Sequence, residues 1–215
     1  MTIICRDHQL LFLENRNTGS TAIRAVLRER LGGEQLLTEP VRAPDGKIVV
    51  PWRHATLGQL LAAGVVSALD RKEMTVVSGV RNPFDLAVTE YARLRGKQAR
   101  AAGNAVALAP VDFERFVRRR YSPGLVHRLA GRHGRVPPDF AADADHVIRF
   151  ERMQEDLDAL MRRIGIDGPV EIPQRNVTRA RSGRDFREMY TPAARAIVER
   201  AYSSQLKRYG YSFTG

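Results

Sequence analysis

Cysteine is almost missing from this chain. Cys5 is the only one, so no disulfide forms within the chain and no cysteine-based metal site is possible. No other metal-ligand set stands out either. Lysine is scarce, because almost all of the basic residues are arginine. No apolar run approaches the ~18 residues a membrane-spanning helix needs, which argues against an integral membrane segment. The opening residues carry Arg6 and Asp7 where a secretion signal is apolar. Together these absences lead to the expectation of a soluble, cytoplasmic protein.

What the chain does hold is positive charge. Its 215 residues carry 35 Lys and Arg against 24 Asp and Glu, a formal net charge of +11. The planar arginine fork matches the oxygens of phosphate and sulfate. Nucleic acid, an anionic cofactor, an acidic glycan and a membrane surface all suit this balance. The apolar fraction of 43% is ordinary for a globular protein, and a chain of this length buries a core without staples. A single domain over residues 1–215 is expected. It includes an irregular, Gly- and Arg-rich segment at about 99–139 and a basic loop at about 173–187.

Gln9–Asn15 reads as a short buried strand and Asn17–Thr21 as a turn. Ile23, Val26, Leu27 and Leu31 then recur at helical spacing until Gly32 and Gly33 stop the pattern. Residues 41–50 read as a hairpin turning at Pro44-Asp45-Gly46, followed by a short helix from about Thr56 to Ala63. Residues 73–80 form an apolar run suited to the middle of a sheet. Asn82 and Pro83 supply the cap and first position of a helix reaching about Gln98. Phe113, Phe116 and Val117 mark another short helix. His146–Glu151 reads as a third strand, and Met153–Ile164 as an amphipathic helix ended by Gly165. A last helix opens at Thr191-Pro192 and runs to Tyr209, with Gly210 as its cap. Strand and helix thus alternate three times. That order predicts an α/β fold with a mainly parallel central sheet and helices on both faces.

Ligands of such sheets bind beyond the carboxyl ends of the strands, and two segments stand there. In Asn17-Thr18-Gly19-Ser20-Thr21, Gly19 lets the backbone turn sharply and approach a ligand. Ser20 and Thr21 add hydroxyls, and the following helix aims its positive end at the same spot. The result is a cradle for phosphate or sulfate; an ordinary helix start is the plain alternative. The spacing is not that of a Walker loop, which needs a lysine. In the second segment, Gly79-Val80-Arg81-Asn82-Pro83-Phe84-Asp85, Arg81 ends a buried strand beside a helix start. Thr89 lies about two turns further on. There the plain alternative is an Arg81–Asp85 ion pair.

Taken in order, these segments resemble the two signatures of sulfotransferases that use 3'-phosphoadenylyl sulfate (PAPS), the carbohydrate-type branch in particular. The family's first signature is Lys-Thr-Gly-Gly-Thr-Ser and an apolar residue, against Asn17-Thr18-Gly19-Ser20-Thr21-Ala22-Ile23 here. Its second is Val-Arg-Asn-Pro-aromatic-Asp with Ser and Tyr downstream. Val80 to Asp85, Thr89 and Tyr91 stand in those places. His54-Ala55-Thr56 is similar to a His-Ala-Thr segment of the family, and Arg149-Phe150-Glu151 to its third strand. Asn176-Val177-Thr178, Tyr190-Thr191 and Tyr209 to Phe213 resemble its closing part. The resemblance covers nearly the whole chain, with one departure: Asn17 replaces the lysine that contacts the transferring group.

The resemblance implies a P-loop-like fold and an activity, sulfuryl transfer from PAPS to a hydroxyl of a saccharide or other small acceptor. Adenosine 3',5'-bisphosphate is then the product. Asn17, Thr18, Gly19, Ser20, Thr21 and Ala22 take the 5'-phosphosulfate, and Arg81 and Thr89 the 3'-phosphate. The basic loop with Arg181, Ser182, Gly183 and Arg184 closes over the nucleotide. Histidine is a suitable general base because its ordinary pKa lies near neutrality, and His54 holds the place of a family histidine. Glu14, at the strand end, is a second base candidate whose plain alternative is an ion pair with Arg16. Arg16 itself is the candidate to supply the charge missing at Asn17. His127 and His133 are candidates for touching the acceptor, and Trp52 for packing or lining its site. Other classes stay open: a nucleotide-binding relative without turnover, a nucleotide kinase, and a basic nucleic-acid-binding module. The kinase lacks its lysine. The nucleic-acid module lacks a helix-turn-helix or RNA-binding signature, so no nucleic-acid partner is expected.

Overall fold

The structure is a computed structural model that describes residues 1–103, 108–122, 136, 138–168, 170–173 and 185–214. The chain begins with β1 (Thr2–Cys5), β2 (Leu10–Leu13), α1 (Ser20–Leu31), β3 (Glu34–Gln35), β4 (Val41–Arg42) and β5 (Ile48–Val50). Next come α2 (Leu57–Ala62), α3 (Ala68–Glu73), β6 (Thr75–Val80), α4 (Pro83–Ala101) and α5 (Pro110–Tyr121). β7 (His146–Arg149), α6 (Met153–Arg163), α7 (Pro192–Ala201) and α8 (Ser203–Tyr209) complete it. The chain divides into two compact units, Met1–Arg81 with Pro138–Asn176, and Asn82–Pro137 with Val177–Gly215.

The first unit holds a five-stranded sheet in the order β3-β1-β2-β6-β7. β2, β6 and β7 are parallel, as the alternation of strand and helix predicts. The sheet is nonetheless mixed, because β1 runs antiparallel to both β2 and β3. Thr2–Cys5 is a short apolar run, and the charges at Arg6 and Asp7 belong to the turn that reverses the chain. Gln9 closes that turn in the left-handed region at φ 47°. Side chains alternate between the faces. Ile3, Cys5, Leu10, Phe12, Val77 and Ile148 form one core with Ile23, Val26 and Leu27 of α1 and Leu157 and Leu160 of α6. Ile4, Leu11, Leu13 and Val76 form another with Leu57 and Leu60 of α2. Burying each such aliphatic side chain favours folding by about 1.5–3 kcal/mol.

Local signals set most helix starts. Thr56 and Gln59 make a reciprocal capping box at α2, and Ser67 and Asp70 another at α3. The hairpin of β4 and β5 turns at Pro44-Asp45, with Gly46 N–H donating to the Ala43 carbonyl at 2.8 Å. The strand expected at 73–80 starts at Thr75, because Glu73 closes α3 and Met74 caps it. Only residues 146–149 of the third strand are extended; Phe150–Arg152 form a single 3-10 turn.

The second unit is helical. The Asn82 side chain accepts from the Phe84 N–H at 3.1 Å and donates to the Ser212 carbonyl at 2.9 Å. Its core joins Phe84, Val88 and Tyr91 of α4, Phe113 and Val117 of α5, and Ile197 and Val198 of α7. α4 continues to Ala101, past the expected Gln98, since Ala99-Arg100-Ala101 is a good helix-forming run. The expected last helix is two helices, broken at Tyr202, whose ring is buried and whose backbone leaves the helical region at φ −108° and ψ 16°. Gly210 caps the second in the left-handed region, as expected. Among the described residues no helix is long and apolar enough to cross a membrane.

Candidate functional site

The chain leaves β2 at Leu13 and reaches α1 through Glu14–Gly19, all within the first unit. The loop is bonded to the sheet and to itself. Asn15 Nδ2 donates to the Gly79 carbonyl of β6 at 3.1 Å. The Asn15 carbonyl accepts from the hydroxyls of Thr18 at 3.1 Å and Ser20 at 2.8 Å. Those two hydroxyls also lie 2.8 Å apart. Thr18 and Ser20 are buried and act as the loop's scaffold, while Thr21 is half-buried. Ala22 is buried on α1.

Two residues of the loop adopt left-handed backbone, Asn17 at φ 61° and Gly19 at φ 78°. Asparagine is among the few residues that enter this region at low cost, which gives Asn17 a conformational reason that lysine lacks. α1 starts without a side-chain cap. Among the described residues nothing accepts a hydrogen bond from the amides of Asn17 to Thr21. Left-handed residues in a turn can aim neighbouring N–H groups to one side, as concave anion sites do.

Neighbouring elements close in on this turn. A Cβ on Gly79 would sit 2.7 Å from the Thr18 hydroxyl, so the glycine lets β6 pass directly beneath the loop. Arg81 Nη1 donates to the Asn17 carbonyl at 3.0 Å, and its guanidinium lies 3.7 Å from the Phe150 ring centroid. The two anion-binding segments expected from the sequence therefore meet: Arg81 stands at the lip of the 14–19 loop. Arg16, within that loop, is exposed.

Glu14 is 7% exposed and forms an ion pair, but with Arg24 rather than Arg16. Arg24 Nη1 lies 3.2 Å from both carboxylate oxygens, and the α-amino group of Met1 also contacts the carboxylate. The Glu14 carbonyl accepts from His54 Nδ1 at 2.9 Å. His54 has its own backbone at φ 57° and lies edge-on to Phe140 at 6.4 Å. Burial holds the His54 pKa below its ordinary value, opposed by the bond to the Glu14 carbonyl. A carbonyl only accepts, so the neutral ring carries its proton on Nδ1 and keeps its lone pair on Nε2. Trp52 is half-buried, with the Arg53 guanidinium 4.2 Å over its ring.

Thr89 is buried on α4, in the second unit. Arg181, Ser182, Gly183, Arg184, His127 and His133 lie outside the described residues. Sequence reasoning passed over Asn15 and Arg24, and took Phe150 only as part of a strand. Only Asn15, polar at the end of an apolar strand, carried a local signal. Comparison with protein-family models, curated proteins and solved structures gave no match.

Proposed function

We propose that this chain is a cytoplasmic, PAPS-dependent sulfotransferase with a P-loop-like architecture, acting on a hydroxyl of a saccharide or another small molecule. The observation that carries the reading is the contact between its two motif-bearing segments, Arg81 against the Asn17 carbonyl. Unanswered amides, a close glycine turn and guanidinium groups suit a doubly anionic group in one place. The donor supplies an activated sulfuryl group. The amides of Asn17 to Thr21 hold its oxygens, Arg16 supplies the charge that Asn17 lacks, and Arg81 takes the 3'-phosphate. As the acceptor oxygen bonds to sulfur, the bond from sulfur to the phosphate oxygen breaks. His54 Nε2 takes the acceptor proton. Positioning and charge stabilisation do most of the work, as in phosphoryl transfer.

Calorimetric titration of the intact chain with adenosine 3',5'-bisphosphate, AMP and ATP tests this. The bisphosphate is expected to bind at least tenfold more tightly than AMP, a gap of ~1.4 kcal/mol. Absence of binding, or ATP binding with no preference for a 3'-phosphate, sinks the reading; the second result points to a kinase. Binding of the bisphosphate without sulfuryl release from PAPS identifies a non-catalytic relative.

A further inference from the structure

His54 combines a left-handed backbone with a fixed ring. Its backbone sits in the left-handed region at φ 57°, which is unfavourable for a side-chain-bearing residue and collects at functional sites. Its ring is nevertheless held in one orientation, by Nδ1 on the Glu14 carbonyl at 2.9 Å. That carbonyl belongs to a residue whose own side chain is fixed from another element. The Arg24 guanidinium of α1 meets both Glu14 oxygens at 3.2 Å. One residue thus joins the imidazole, the donor loop and the helix that the loop begins.

We infer that Glu14 and Arg24 are positioning residues for His54: the ion pair fixes the Glu14 peptide, and the peptide fixes the ring in its Nδ1–H tautomer with Nε2 basic. This rests on the sulfotransferase reading only for the task it gives the base. Glu14 is thereby removed as a second base, because its carboxylate is buried and paired. The charged groups around the ring are Glu14, the α-amino group of Met1 and Arg16. A carboxylate that anchors its own peptide acts on the histidine without touching it, much as outer residues orient a metal-binding histidine through its far nitrogen.

The test is the tautomer itself. The intact chain, labelled with 15N at imidazole, is examined by long-range 1H–15N correlation at a pH where histidine is neutral, with His54→Gln assigning the signal. Wild-type His54 is expected as Nδ1–H, the opposite of the Nε2–H form that free histidine prefers. Arg24→Ala is expected to lower the Nδ1–H to Nε2–H ratio by about fivefold, the worth of one ordinary hydrogen bond. Arg24→Lys is expected to restore most of it. A wild-type ring in the Nε2–H form overturns the inference without any variant having to fold. So does an unchanged tautomer ratio in folded Arg24→Ala or Glu14→Gln. If the tautomer behaves as expected while adenosine 3',5'-bisphosphate fails to bind, the sulfotransferase reading falls and the positioning of His54 stands.

Discussion

Each unit is held together by its own kind of side chain. In the first, aliphatic residues cover both faces of a sheet. In the second, rings meet rings. Phe113 contacts Tyr91, Phe116 and Tyr190, and Phe84 contacts Tyr190 and Phe213. Among the described residues, every ring pair but His54–Phe140 belongs to the second unit. Branched aliphatic side chains suit a pleated surface and carry no polar tip; the buried Ser78 hydroxyl within β6 donates to the Leu13 carbonyl at 2.9 Å. Tyrosines carry a hydroxyl that usually finds a partner when buried. Tyr190 donates to the Phe84 carbonyl at 2.9 Å, and Tyr121 to Glu90 at 2.9 Å. The candidate site lies where the core is simplest, and the backbone there is left to bend.

The contrast is easiest to break at its most buried ring. Phe113→Ala is expected to destabilise by about 3–5 kcal/mol, the usual cost of emptying a buried aromatic position. Native-state hydrogen exchange should rise across α4, α5 and α7 while β2 and β6 stay protected; uniform loss across both units would dissolve the distinction. Arg81→Ala should lower the unfolding midpoint modestly, through loss of the Asn17 and Phe150 contacts. It should weaken adenosine 3',5'-bisphosphate binding by about 1.5–3 kcal/mol, the range for hydrogen bonds to charged groups, as read by calorimetry. Gly19→Ala should cost about 1–2 kcal/mol for a side chain forced into left-handed backbone. The added Cβ meets the flexible tip of Met153, which can turn aside, and the Phe150 ring edge at 3.3 Å, which must shift by a few tenths of an ångström, so a steric cost adds to the backbone one. Denaturant unfolding measures the cost.

The smallest effect is that of pH. Burial favours neutral His54 in the folded chain. As pH falls through the ordinary histidine value of 6.5, the unfolded chain therefore takes up this proton first. Stability is expected to decline from there down to the depressed native pKa and to level off below it, while His54→Gln removes this component. Thermal unfolding of both proteins across that range decides it; a His54 contribution that grows on acidification would reverse the sign of the argument.

The parts legible in the sequence were those with local causes. Asn82-Pro83, Thr56 and Thr191 each name a helix start through their own side chains. The apolar run at 73–80 marked an interior strand, and Asn17 to Thr21 marked the turn at its neighbour's end. Ser67-Ala68-Leu69-Asp70 carried the same kind of capping signal at α3, and it was overlooked. The rest depends on contacts between distant segments. Four apolar residues at the start do not reveal that β1 reverses against β2. Nothing in the spacing of Glu14 and Arg24 announces their ion pair across the loop, and nothing near Phe150 announces the guanidinium stacked on it.

The chain passes between its units at 81–82, 137–138 and 176–177, so neither unit is one unbroken stretch. Synthesis from the N-terminus therefore delivers β6 long before β7, its parallel neighbour. On the ribosome the nascent sheet waits with one edge open while the segment between them is translated. Nor does any one continuous stretch of the chain encode either unit.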